Sequence, residues 1–141
     1  MAHSELLLDH FARPRNVGAF AADDANVGTG RAGAPGGDVV KLQIKVGGDG
    51  AIADTRFRTQ GSPAAIACAS LATEWLKGRS LDDALAIGHA DLASALALPP
   101  ERLHCSILAF DAIRDAVADY RGKHAEREAA KPVEPLKWPS P

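Results

Sequence analysis

The sequence is short of cysteine, of long apolar runs and of any excess of one charge, and each shortage removes a class of protein. Two cysteines in 141 residues, Cys68 and Cys105, allow one disulfide at most. Nothing secretory accompanies them, so both are expected as free thiols in a cytoplasmic protein. The N-terminal apolar run is only Leu6-Leu7-Leu8, set between Glu5 and Asp9. No later stretch approaches the ~20 residues that a bilayer span needs, so no membrane partner is expected. A formal net charge of −2 supplies no broad basic field for nucleic acid. Internal repeats are absent as well.

What is present is the balance of a folding domain. Apolar residues make up 46% of the chain and charged residues 24%, and the length suits one core rather than two. Residues about 4–12 predict a short helix, capped by Ser4 and ended by Pro14. A Gly/Asn-rich stretch, Asn16 to Gly37, predicts extended, turn-rich chain. The period then changes to two. Val40, Leu42, Ile44 and Val46 alternate with Lys41, Gln43 and Lys45, and Gly47-Gly48-Asp49-Gly50 reads as a turn into a returning strand from about Ala53 to Thr59. Ile52 is out of phase with that strand, which predicts a bulge.

Beyond Gly61 the pattern is helical. Pro63 suits a first helical position, Ala64, Cys68, Leu71, Ala72 and Trp75 share a face, and Gly78 ends the helix. Two short helices follow at about 80–87 and 90–96, the first capped by Ser80. After Pro99-Pro100 a long helix carries Leu103, Ile107, Phe110, Ile113, Val117 and Tyr120 at spacings of three and four, a stripe expected to cover the sheet. From Lys131 four prolines surround Trp138, predicting a flexible tail. Strands first and helices afterwards give an α+β fold with a small antiparallel sheet of about three strands covered by C-terminal helices. The domain spans 1–130 and the Pro-rich tail 131–141.

Four motifs invite functional readings. Gly28-Thr29-Gly30-Arg31-Ala32-Gly33 fits G-x-G-x-x-G, but Pro35, Gly36 and Gly37 prevent the helix that a dinucleotide site requires, so a flexible loop is the better account. Pro132-Val133-Glu134-Pro135 fits P-x-x-P, a pattern common in polar tails. His3, His10, His89 and His124 lack partners at ligand spacing and are expected at the surface. His104-Cys105 is more informative, because Pro99-Pro100 sets a helix start just upstream. The helix dipole there favours a thiolate, the nucleophilic and metal-binding form. Cys105 falls about 200° around the helix from Leu103 and is therefore expected to be partly exposed and reactive. Cys68 is expected as an inert core thiol. No nucleophile–base–orienter set suggests an enzyme.

Taken in order, Pro14-Arg15-Asn16-Val17-Gly18, Asn26-Val27-Gly28, Gly33-Ala34-Pro35, Lys41-Leu42-Gln43-Ile44-Lys45-Val46, Thr73-Glu74-Trp75 with Lys77-Gly78, and Leu98-Pro99-Pro100 through His104-Cys105-Ser106-Ile107-Leu108-Ala109 resemble the iron–sulfur cluster assembly scaffolds of the IscU and NifU N-terminal type. The resemblance covers about 4–125. It implies a protein that holds a nascent [2Fe–2S] cluster on three cysteines, an aspartate and a histidine, takes sulfur from a cysteine desulfurase, and is served by an Hsp70-type chaperone. Carried over by position, it retains Asp38, His104 and Cys105 as metal ligands, with Cys105 also the persulfide acceptor. Gly37 and Ser62 stand where the other two cysteines are expected, and the loop before Asp38 is one residue shorter. Cys68 is turned about 240° from Ser62 on the helix and does not replace the lost thiol. The chaperone segment reads Leu98-Pro99-Pro100-Glu101-Arg102, with Glu101 and Arg102 in place of valine and lysine.

Two functions follow. One is a scaffold-like protein with a degenerate ligand set that binds iron or zinc, or accepts sulfur, without a stable [2Fe–2S] cluster on the monomer. The other is an adaptor that keeps the fold to bind assembly partners without metal, and neither is an enzyme.

Overall fold

The alternation across residues 39–46 makes the central strand of a three-stranded antiparallel sheet. The computed structural model describes residues 4–33 and 36–130, the side chains of 126–130 excepted. Strands β1 (Val27–Gly33), β2 (Val39–Val46) and β3 (Ile52–Gln60) lie in the order β1-β2-β3. Val40, Leu42, Ile44 and Val46 face the core, and the expected bulge falls between Lys45 and Val46, where Ile52 pairs with Val46. Helix α1 (Glu5–Ala12) precedes the sheet, and α2 (Pro63–Leu76), α3 (Leu81–Leu85), α4 (His89–Leu96) and α5 (Leu103–Ala130) follow it. Ser4 and Ser80 cap α1 and α3 as the sequence predicts. No helix among the described residues is long and apolar enough to cross a membrane. The proline-rich segment from 131 lies outside the described residues.

Three expectations need correction. The Gly28–Gly33 segment is strand β1 rather than a flexible loop. Its glycines have a packing role, because a Cβ at Gly28 or Gly30 would collide with the carbonyl of Ala116 or Ala112 in α5. That close approach explains the second correction. The buried face of α5 is Cys105, Ala109, Ala112, Ile113, Ala116 and Val117, whereas Leu103 and Ile107 of the expected stripe are 43% and 42% exposed. Small side chains let the helix backbone settle onto the glycine strand, and larger ones would hold it away. The third concerns His10, which is buried against α2, its Nδ1 2.7 Å from Ser70 Oγ and its Nε2 3.3 Å from Glu74. Of the other histidines expected at the surface, His89 is exposed, His124 is half-buried, and His3 lies outside the described residues.

The free edge of β1 is closed by side chains rather than by a strand. The amides of Thr29 and Arg31 donate to Asp119 and Asp115 of α5, and Lys123 Nζ donates to the Val27 carbonyl at 2.7 Å. These residues recur every fourth position, so one face of α5 satisfies edge groups that would otherwise pair with another chain.

Candidate functional site

Asp38 immediately precedes β2, Ser62 caps α2, and His104 and Cys105 lie in the first turn of α5. These three element ends meet at one end of the sheet. Ser62 Oγ accepts from the Ala65 amide at 3.3 Å, while the Ser62 amide donates to Asp38 Oδ1 at 2.7 Å. Asp38 Oδ2 lies 2.8 Å from His104 Nε2, and Cys105 Sγ donates to it at 3.5 Å. Cys105 Sγ is 3.7 Å from both His104 Nε2 and Ser62 Oγ.

The protonation states follow from these contacts. Burial opposes ionisation of Asp38, but hydrogen bonds from the Ser62 amide, His104 and Cys105 outweigh it and hold the carboxyl below the usual range. An ionised Asp38 makes His104 Nε2 the donor. Burial, opposed by the Ser62 contact and reinforced by the Asp38 charge, pushes the Cys105 thiol up to about 11. Cys105 is fully buried, which corrects the expectation of a partly exposed, thiolate-forming cysteine. The glycine-lined approach of α5 turns Cys105 inward, and the adjacent carboxylate opposes the helix dipole. Cys68 is buried as expected, and burial drives its thiol higher still.

The donor set can be tested against a metal. Asp38, His104 and Cys105 each offer one ligand atom, all within 4.8 Å of one another. A tetrahedral zinc site with one sulfur, one nitrogen and one oxygen ligand has donor–donor edges of roughly 3.3–3.6 Å. The Cys105–Asp38 and Cys105–His104 separations of 3.5 and 3.7 Å are already near those edges. Only the His104–Asp38 hydrogen bond at 2.8 Å must open. Ser62 Oγ lies at similar spacing from two of the three, 3.3 Å from Asp38 Oδ2 and 3.7 Å from Cys105 Sγ. The residues present therefore fit one small tetrahedral ion.

Gly37 is an exposed bend residue with no donor to offer. Glu101 and Arg102 are exposed on a 3-10 turn, Pro100–Arg102, directly before the site. Sequence reasoning treated Ser62 only as a lost cysteine and missed its structural part. The signal was available, since a serine directly before a proline at a first helical position is a capping signature.

A family model described as the NifU-like N terminal domain matches residues 2–127. The chain is 58% identical over 124 residues to the iron–sulfur cluster assembly scaffold protein IscU of Escherichia coli, covering 87% of this chain and 97% of that protein. It is 52% identical over 136 residues to iron–sulfur cluster assembly protein 2 of Arabidopsis thaliana, covering 96% of this chain and 83% of that protein. In fold it is similar to the crystal structure of the N-terminal part of a nitrogen-fixing NifU-like protein from Brucella abortus, with a TM-score of 0.63 at 17% identity over 85% of this chain and 94% of that one.

Proposed function

The chain belongs to the NifU-like N-terminal domain family, and from that premise we propose that it is a scaffold-type protein of iron–sulfur assembly with a reduced site. The site takes one iron or zinc ion, or one sulfur atom on Cys105, rather than a [2Fe–2S] cluster held by the monomer. The observation that carries this reading is the convergence of Asp38, His104 and Cys105 within 4.8 Å. A carboxylate and an imidazole beside a single thiolate form a borderline-hard donor set, which holds an ion loosely enough to hand it on. Binding must displace the Cys105 proton and is therefore favoured by rising pH.

Sulfur transfer uses the same residues. The Cys105 thiolate attacks the outer sulfur of a persulfide on a cysteine desulfurase, forming the Cys105 persulfide and releasing the desulfurase thiolate, with no net redox change. The thiol proton leaves to solvent as the thiolate forms, because Asp38, held below the usual carboxylate range and 3.5 Å from Sγ, is too weak a base to take it. Service by an Hsp70-type chaperone is weakened, because Glu101 puts a carboxylate where the family segment carries valine, and Arg102 replaces lysine with a different cation. In this reading the protein is a binding protein of the cytosol and not an enzyme.

The burial of Cys105, with its thiol pushed up to about 11, favours a second reading, an adaptor that binds assembly partners without metal. Anaerobic titration calorimetry with ferrous iron and with zinc separates the two. One ion bound per chain, abolished in Cys105→Ala and weakened in Asp38→Ala, is the expected result. No binding of either ion to the unmodified chain overturns the metal reading in favour of the adaptor.

A further inference from the structure

Arg31 of β1, Lys41 of β2 and Arg58 of β3 stand at one register across the sheet, Arg31 paired with Lys41 and Lys41 with Arg58. Their chain neighbours Gly30, Leu42 and Phe57 face the core, so by strand alternation the three cations project from the opposite face. Two strand spacings put them in a row roughly 10 Å long. Like charges directly opposite one another destabilise a sheet. Among the described residues no ion pair relieves any of the three. Asp115 accepts only the backbone amide of Arg31.

The other half of the same face is differently built. Lys45 and Arg56 lie against the Phe20 ring at 5.5 and 4.8 Å, and Arg56 also pairs with Asp54 at 2.9 Å. Phe20 itself is tied down by both ends of the Gln43 amide. One end of the face is thus covered and its cations partnered. The end nearer Asp38 is an open depression of about 400 Å³ lined by Arg31, Val39, Lys41, Arg58, Thr59 and Gln60.

We propose that this row is a docking surface for an acidic segment of a partner protein. An unrelieved line of like charge costs the free protein stability that a segment of opposite charge recovers on binding, and charge complementarity of this kind sets encounter rate and register. Carboxylates two residues apart on an extended segment are roughly 6.6 Å apart, which suits a row of this length. Nucleic acid suits it less, because the row is one short line, the aromatic ring of this face is already engaged by Lys45 and Arg56, and the chain carries a net charge of −2. Lys41 follows Asp38 by three residues on β2, and Arg58 precedes Ser62 by four on β3. A partner seated here stands at the rim of the candidate site.

The test uses the full chain without metal, so its outcome is independent of the metal reading. Fluorescence anisotropy with a labelled hexaglutamate peptide should show binding that weakens as salt is raised. The triple variant R31E/K41E/R58E should bind at least about tenfold more weakly, whereas R79E, at an exposed cation outside the row, should bind as the unmodified chain does. The neutral variant R31Q/K41Q/R58Q should also lose binding while its thermal midpoint stays level or rises, because the repulsion has been removed. Peptide binding by both triple variants as tight as that of the unmodified chain overturns the proposal. A lowered midpoint in the neutral variant does so too, by making the row structural. Displacement of the peptide by a lower concentration of oligothymidylate overturns the choice of a protein partner.

Discussion

The carboxylate of Asp38 and the amide of Ser62 are joined at 2.7 Å, and that bond ties the start of β2 to the N-terminus of α2. Gly61 makes room for it: the residue sits at φ +142°, and a Cβ there would collide with the Asp38 carboxylate. The same carboxylate faces Cys105 and adds to the effect of burial in holding the thiol protonated. Asp38→Asn should keep the shape and remove the charge. The expected outcome is a faster reaction of Cys105 with iodoacetamide near neutral pH and a rate profile whose midpoint falls below about 11. Stability should fall by about 1 kcal/mol, because a charge-assisted hydrogen bond becomes a neutral one. In the unmodified chain Cys68, more deeply buried in effect, should react more slowly than Cys105, as peptide mapping after partial labelling would report.

Glycine in β1 makes a separate demand. A Cβ at Gly30 would meet the backbone of α5 at Ala112 and Ala116, atoms that cannot swing aside as a flexible side chain can. Gly30→Ala should therefore destabilise the fold by about 1–3 kcal/mol, the usual cost of overpacking, read as a lower urea midpoint. Gly48→Ala, in the hairpin turn with open space around it, is the matched control and should change little.

That packing also explains where sequence reasoning succeeded and where it failed. Strands β2 and β3 were readable because Leu42, Ile44, Thr55 and Phe57 alternate with polar neighbours, and burial follows that alternation except at Gln43, which is buried through its bonds to Phe20. Strand β1 was not, because Gly28 and Gly30 present no side chain from which a period could be read. The buried face of α5 was misplaced for the complementary reason. Ala109, Ala112 and Ala116 are small in order to meet those glycines, and a pattern weighted toward large apolar residues follows Leu103 and Ile107 to the solvent instead. Cys105 was misjudged with that face. Asp38, His104 and Cys105 were carried over from a resemblance, and no local spacing reveals that β2, α2 and α5 bring them together. The burial of His10 depended on Ser70, sixty positions away.

The His10 contact gives the protein a pH dependence of its own. Burial, aided by the nearby Arg15 charge and opposed by Glu74 and Asp9, lowers the imidazole from its ordinary 6.5. The folded state therefore favours neutral His10, with Ser70 Oγ receiving the Arg15 amide at 2.9 Å and free to donate to Nδ1. A group depressed in the folded state contributes stability above its unfolded value and loses it as pH falls from 6.5 through the folded one. Urea unfolding should accordingly show stability decreasing as the pH is lowered from 7 toward 5. In His10→Asn that segment of the profile should flatten, and the variant should be on the order of 1–3 kcal/mol less stable at neutral pH because the buried Ser70 hydroxyl keeps the Arg15 amide but loses the acceptor for its proton. An unchanged slope in the variant would assign the acid sensitivity to the carboxylates instead.

The count of ligands decides what the site can assemble. In a [2Fe–2S] cluster the bridging sulfides supply two ligands to each iron, so the protein must supply four in all. Asp38, His104 and Cys105 supply three. Ser62 Oγ is near enough to be the fourth, 3.7 Å from Cys105 Sγ, but a serine hydroxyl is a hard donor that keeps its proton near neutral pH, and this one already accepts the Ala65 amide. Anaerobic reconstitution of the unmodified monomer with ferrous iron and sulfide should therefore leave no stable cluster after desalting. Ser62→Cys combined with replacement of Gly36 by an Ala-Cys pair restores two thiolates and should produce a retained visible absorption, with iron and sulfide in equal amounts. Ser62→Cys alone also removes the hydroxyl cap of α2, at about 1 kcal/mol, so its melting temperature must be measured alongside. A defined [2Fe–2S] Mössbauer signature from the unmodified monomer would show that three donors and a serine are sufficient, and the reduced-site reading would then fail.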